Sequence, residues 1–303
     1  VNSDNNRHEY SRYNGHLNFN GTNGEQPVCG FTGGSNSRFW FVQYWFKLGQ
    51  NWDWSSGGSN SLGNVKIMRM WPTGDSSWHN FKLNTIGTYD VLGNDEYCDP
   101  DPDWPGVPES PYMNWVDFDT EMDDGRWHLL QLQYSDSSAS GIADATARVW
   151  FDGRRRGVTT SMVTKCTSAG SENSRPFIVG FYDSHPNANN DGANDFYIDD
   201  AYIDNTWARI EIGEQGKYED CRHREIQVPL SWSGGSPPAW DSQIQILLNQ
   251  GSFLAGDTAY LYIIDSAGMV NADGFQIVFG ETPTEDHISP ASPSRLRLES
   301  SGG

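Results

Sequence analysis

The chain has 303 residues, with 40 Asp plus Glu against 20 Lys plus Arg and a formal net charge of -20 at pH 7. Such a balance repels phosphate backbones and anionic lipid, which excludes nucleic acid as the expected partner and leaves cations as better ones. Hydrophobic residues make up 36% of the chain and include 13 Trp, 13 Tyr and 14 Phe, so the core is expected to be built from few, large pieces. No stretch approaches the ~18 consecutive apolar residues of a membrane span. Val1 is followed at once by the polar run NSDNNRHEYS, so the chain reads as a mature, secreted one without its targeting peptide.

Period-2 patterning runs through the chain, and no long window carries a 3.6-residue apolar stripe. Residues 38–48, RFWFVQYWFKL, read as a central strand. Further strands are predicted at 64–71, 79–86, 113–121, 126–134, 146–152, 176–182, 196–204 and 207–212, each bounded by Gly, Asp, Asn, Ser or Pro. About nine strands separated by turns predict an all-β sandwich. Residues 94–112, NDEYCDPDPDWPGVPESPY, are rich enough in Pro and Asp to predict a long surface loop.

Composition shifts near residue 220, which sets the predicted boundary of a sandwich domain at 1–222. A small β module follows at 223–281, readable as half-sized and Ig-like or as extra strands docked on the sandwich, and able to mediate self-association. The last stretch, 282–303, is Pro- and Ser-rich without apolar periodicity and reads as a linker or disordered tail. Cys29, Cys98, Cys166 and Cys221 are widely spaced and form no C-x-x-C pair. That pattern argues against zinc and for disulfides in an oxidising, extracellular compartment, with three pairings open.

Asp124-Gly125-Arg126-Trp127-His128 runs into LLQLQY, ARVWFDG follows at 147–153, and FYIDDAYID at 196–204. This succession resembles that of concanavalin A-like and laminin-G-like domains. The resemblance covers roughly residues 15–215 and implies a jelly-roll sandwich. It also implies a saccharide held on the concave sheet, in a superfamily that spans lectins, binding modules, polysaccharide lyases and glycoside hydrolases, so function must be argued from the site.

Alternation proposes which side chains line that sheet. Odd positions on the strands at 39–47, 65–71 and 127–133 are Gln43, Trp45, Lys47, Arg69, Trp71, Gln131 and Gln133, and Arg148 and Trp150 continue the theme. Indole faces stack on pyranose C–H groups, and Gln and Arg bond hydroxyls and carboxylates. The competing expectation is that these tryptophans are simply core.

Three kinds of chemistry are readable. Asp117, Asp119 and Glu121 alternate along one strand. They resemble the Glu-x-Asp-x-Glu strand of retaining glucanases, but with Asp where the nucleophilic Glu would stand, which withdraws it from the anomeric carbon; an acidic edge strand fits equally well. For a lyase, Arg69 or Gln131 could neutralise a uronate while His79, His128 or Tyr134 removed the C5 proton. The R-x-E-x-R, Q-I-H and Y-x-K-x-G-x-Y patterns of alginate lyases are absent, however. Asn187, Asn189, Asp191 and Asp195, with Asp200 beyond, concentrate hard oxygen ligands around Gly192, as calcium loops do. The resemblance likewise implies a structural Ca2+ near this strand pair. The expected function is non-catalytic binding of an extracellular glycan or polysaccharide; a lyase or hydrolase of the same fold and a structural cell-surface or filament subunit are the alternatives.

Overall fold

A computed structural model describes residues 15–18, 29–30, 37–49, 64–72, 78–86, 89–97, 113–118, 124–165, 173–182, 195–229, 244–280 and 295–297. The chain divides into two compact units, one made chiefly of residues 12–151 and 155–205, the other of 206–303 with Asp152–Arg154. Among the described residues no helix is long and apolar enough to cross a membrane.

The first unit holds two antiparallel sheets. One has the order β1 (Gly15–Asn18), β12 (Asp195–Asp204), β3 (Phe39–Leu48), β8 (His128–Ser135), β9 (Ala145–Phe151) and β10 (Arg154–Met162). The other runs β2 (Cys29–Gly30), β11 (Ser174–Tyr182), β4 (Asn64–Pro72), β5 (Trp78–Ile86), β6 (Tyr89–Tyr97) and β7 (Met113–Phe118). Each sheet draws strands from both ends of the unit. This is a jelly-roll β-sandwich, all-β as the strand arithmetic and the motifs imply.

Several strands went unread in the sequence, among them β6 and β10. β6 reaches into the predicted 94–112 loop as far as Tyr97, because its Asn- and Asp-rich backbone is paired with β5 on one side and β7 on the other. β10 opens on three arginines and shows no apolar alternation; it lies at the margin of its sheet, where one flank needs no partner.

β3 is buried along nearly its whole length. Trp40, Val42, Tyr44, Phe46 and Leu48 point to one face, together with Leu130, Leu132 and Tyr134 of β8 and Ala147, Val149 and Phe151 of β9. This face looks toward the second sheet: the Trp40 indole N–H donates to the Ser174 carbonyl of β11 at 2.7 Å. Asp136 straps the same junction, accepting from the Ser174 amide, from Ser174 Oγ at 2.9 Å and from the Tyr134 hydroxyl at 2.7 Å.

The D-G-x-W-H turn is a compact polar knot that opens β8. Gly125 takes φ 78, and Asp124 Oδ1 accepts from the Arg126 amide at 2.7 Å and meets His128 Nε2 at 3.2 Å. Partial burial alone would raise the Asp124 pKa, but its bonds to Arg126 and the nearby His128 hold the carboxyl below its ordinary range.

The second unit is one six-stranded antiparallel sheet, β17 (Phe275–Val278), β16 (Thr258–Ile264), β13 (Arg209–Gly213), β14 (Arg224–Pro229), β15 (Gln245–Leu247) and β18 (Arg295–Arg297). Two facing sheets, which an Ig-like module requires, are not seen among the described residues. Residues 207–212, expected to close the sandwich, instead supply the middle of this sheet, so the boundary falls at Asn205 rather than at 222. Local alternation could not show this, since it identifies a strand but not its partners. Ile210 and Ile212 pack with Ile246, Phe253, Ala259, Leu261 and Phe279. Three residues of the expected tail, Arg295–Arg297, pair with β15 as an added strand.

Cys221 carries a free, buried thiol, which corrects the expectation that all four cysteines are disulfide-bonded. Its Sγ lies 3.6 Å from the Gln215 carbonyl, 3.5 Å from that of Lys217 and 3.8 Å from the Tyr262 hydroxyl, and burial pushes the thiol pKa up. The side chains of Cys29, Cys98 and Cys166 lie outside the described residues.

Candidate functional site

The face of the first sheet turned away from the second sheet carries polar and aromatic side chains in strict rows, because residues directly opposite on paired strands share a face. One row runs Tyr202, Gln43, Gln131, Trp150 across β12, β3, β8 and β9. The next runs Asp204, Phe41, Gln133, Arg148, and a third begins Asp199, Trp45, Leu129. Asp199 and Tyr202 reach the same face despite their odd spacing because the pairing of β12 with β3 shifts between them, as at a bulge with one extra residue. Asp200, in that shift, adopts φ 46, a left-handed conformation that Asp tolerates better than most residues.

Side-chain bonds tie the rows together. Gln131 Nε2 donates to Gln43 Oε1 at 2.8 Å, Arg148 donates to Gln133 Oε1 at 3.4 Å, and the Tyr202 hydroxyl donates to Asp204 Oδ2 at 2.7 Å. Gln43 Nε2 is enclosed and meets no acceptor among the described residues. A buried donor left unmade costs about 1–3 kcal/mol. Lys47 closes one end of the face, its ammonium 4.4 Å from the Tyr197 ring and 5.4 Å from that of Trp127, and partial burial lowers its pKa.

Burial is graded across the face. Gln43, Gln131 and Gln133 are 0%, 1% and 2% exposed, whereas Trp150, Arg148, Lys47 and Tyr202 are half-buried. The middle of the face is therefore closed, and the margins are where a ligand gains access.

Other sequence-predicted residues lie elsewhere. Arg69 and Trp71 belong to β4 and His79 to β5, strands of the second sheet, so they do not join the Gln43 rows. Alternation assigns a residue to a face of its own strand, while the sheet that receives the strand is decided by long-range pairing. His128 and Tyr134 stand on the face toward the second sheet. The His128 ring stacks on Phe151 with centroids 5.1 Å apart, and the Tyr134 hydroxyl is committed to Asp136; neither reaches the outer face as a base. Asp117 lies on β7, the marginal strand of the second sheet, and Asp119 and Glu121 fall outside the described residues, as do Asn187, Asn189 and Asp191. Asp195 begins β12. Among the described residues no cluster of His, Cys, Asp and Glu suited to a metal ion is found. Tyr202, Asp204 and Asp199 were not foreseen on this face; the signal was the IDD strand itself, whose place beside β3 is not written in its local pattern.

No family model matches the chain, and no curated protein matches it. Among solved structures, it is similar to the marine PL-14 alginate lyase from Aplysia kurodai, at 11% identity and a TM-score of 0.39 over 62% of this chain and 81% of that one. The alginate lyase vAL-1 from Chlorella virus aligns at 10% identity and a TM-score of 0.35, over 56% of this chain and 72% of that one. A heptameric SAP-like pentraxin from Limulus polyphemus aligns at 15% identity and a TM-score of 0.34, over 62% and 74%. The jelly-roll architecture stands on the strand order above and not on alignments this loose.

Proposed function

We propose that this is a secreted, extracellular polysaccharide-binding jelly roll, whose ligand lies along the Trp150–Arg148 margin of the first sheet. The observation that carries this reading is the row Tyr202, Gln43, Gln131, Trp150 on the face away from the second sheet. A phenol, a locked amide pair and an indole placed for stacking follow one another at strand spacing, with the Arg148 guanidinium in the adjacent row. Retention on a panel of immobilised polysaccharides tests it: at least one polymer should retard the protein, and none doing so would end the reading.

A second reading, elimination from a uronate polymer, is favoured by a particular feature of the same face: the Tyr202 hydroxyl held on Asp204, on the far side of the Gln43–Gln131 pair from Arg148. In such a reaction a base takes the C5 proton, the electron pair forms the C4–C5 double bond and the O4 oxygen leaves, while an amide or guanidinium steadies the uronate carboxylate. Ultraviolet absorbance of an unsaturated product, measured on the same panel, separates the two readings. Binding without absorbance growth would leave recognition alone.

Calcium at Asn187, Asn189, Asp191 and Asp195 is proposed on the residue pattern only. A ligand bound to the native state alone raises stability by RT ln(1 + [L]/Kd), so excess chelator should lower the melting temperature and Asp191→Ala should remove the chelator's effect. Melting that is indifferent to chelator would make the loop an ordinary turn.

A further inference from the structure

The C-terminal sheet ends on one side in β17, which pairs with β16 and, among the described residues, with no strand beyond it. That pairing fixes where the backbone groups of β17 point. Phe279, just past the strand, accepts from the Gly256 amide and donates to the Asp257 carbonyl, both at 3.0 Å, so its N–H and C=O face the β16 side. Backbone groups in an antiparallel strand alternate in direction from one residue to the next. Phe275 and Ile277 therefore bond toward β16, while Gln276 and Val278 direct their N–H and C=O outward. Gly274 would be the next of the outward set, but its N–H donates to the Gly216 carbonyl at 3.0 Å. The open edge of β17 thus consists of Gln276 and Val278, placed symmetrically about Ile277.

Natural sheets guard such edges with lysine, proline, inward charges or a covering segment. Residues 274–280, GFQIVFG, hold neither a charge nor a proline, and Phe275 and Val278 are 61% and 63% exposed. Asp273, the acid just before them, is ion-paired with Lys217 at 2.6 Å. Two copies of a chain with a net charge of -20 repel each other as wholes, and a charge-free edge is where they can approach. The hydrogen-bonding pattern selects the same occupant. A second β17, antiparallel and related by a two-fold axis through Ile277 perpendicular to the sheet, sets Gln276 of each copy opposite Val278 of the other. Every outward N–H and C=O of both strands is then satisfied, whereas an axis at Gln276 would oppose Val278 to Gly274, whose N–H is already used. The same axis keeps faces matched, so the side of β17 that carries Phe275 and Ile277, beside Leu261 and Ala259, continues into the same apolar side of the other copy. A strand of this length makes a contact below the roughly 1,200 Å² of a standard interface, so the association belongs to the weak, concentration-dependent class.

We propose that β17 is a self-association edge, through which two copies of this chain join antiparallel about Ile277 and make one continuous sheet of their C-terminal units. Sedimentation of the full chain from micromolar to millimolar concentration should show a monomer that becomes a dimer. Val278→Pro removes an outward N–H that the fold does not use and puts a ring in the path of a second strand, so it should raise the dimer dissociation constant at least about tenfold. Val278→Lys, a milder change at the same exposed position, should act in the same direction, and a thermal melt checks that both variants stay folded. The register has its own test. Residues opposite each other in a non-hydrogen-bonded pair have Cα atoms about 4.5 Å apart, within disulfide reach, so Ile277→Cys should cross-link into a dimer under mild oxidation, above the wild-type background. Gln276→Cys, facing Val278 of the other copy, should cross-link far less. A wild type that stays monomeric at millimolar concentration would overturn the proposal, whether or not a strand of some other protein occupies the edge. So would a dimer equally stable in wild type and both Val278 variants, or cross-linking through Cys at 276 in preference to 277.

Discussion

Glu211→Gln is expected to destabilise the C-terminal sheet by about 3–5 kcal/mol, the cost of leaving a buried charge without its partner. Glu211 is 0% exposed at the centre of β13. Its Oε1 receives the Arg209 guanidinium, while its Oε2 lies 3.2 Å from Arg224 Nε and accepts from the Tyr218 hydroxyl at 3.1 Å. Arg209 and Arg224 are themselves buried, so a neutral amide would leave two guanidiniums facing each other out of reach of bulk water.

The same cluster fixes the sign of the acid response. Burial by itself would raise the Glu211 pKa, but the Arg209 and Arg224 charges, with the Arg209 and Tyr218 hydrogen bonds, bring it below the ordinary carboxylate value. A carboxyl depressed on folding stabilises the native state above its unfolded pKa, and that contribution is lost as pH falls through the folded one. Melting temperature in the wild type should therefore drop in acid below the usual Glu range, and Glu211→Gln should flatten that part of the profile. Calorimetry from neutral to acidic pH checks both; a variant that melts like the wild type at neutral pH would mean that the cluster contributes little.

Trp150→Ala is expected to reduce polysaccharide affinity about 30-fold, the effect of truncating a central aromatic contact worth about 2 kcal/mol. The indole is half-buried and directly opposite Gln131, so its accessible part lies where a sugar ring can stack. Affinity should be expressed per folded molecule, because removing a half-buried indole also lowers stability. Gln131→Ala provides the contrast: that residue is 1% exposed and bonded to Gln43, so its loss should act first on melting and only secondarily on binding. If Trp150→Ala binds as tightly as the wild type, the ligand does not lie on this margin.

Alternation along 39–47 and 127–133 placed Gln43, Trp45, Gln131 and Gln133 on a common face, and the pairing of β3 with β8 puts them in register. A pattern of period two is local, and a strand buried on both sides must obey it. The same reasoning applied to Arg69 and Trp71 grouped them with the wrong sheet. The D-G-x-W-H and D-G motifs were legible for a comparable reason: their chemistry is completed within a few residues, by Asp124 bonding Arg126 and His128 and by Asp152-Gly153 turning the hairpin.

What the amino-acid sequence determined by itself was therefore the all-β class, the faces of individual strands and the turns that close on themselves, since these depend on side-chain alternation and backbone freedom over a few residues. Only the tertiary structure decided that 207–212 belongs to the C-terminal sheet, that Cys221 is a lone thiol beside Tyr262, and that Tyr202 stands beside Gln43. Each of those facts is a contact between segments far apart in the chain, selected by the summed burial and hydrogen bonding of whole sheets, and no short stretch of residues carries that sum.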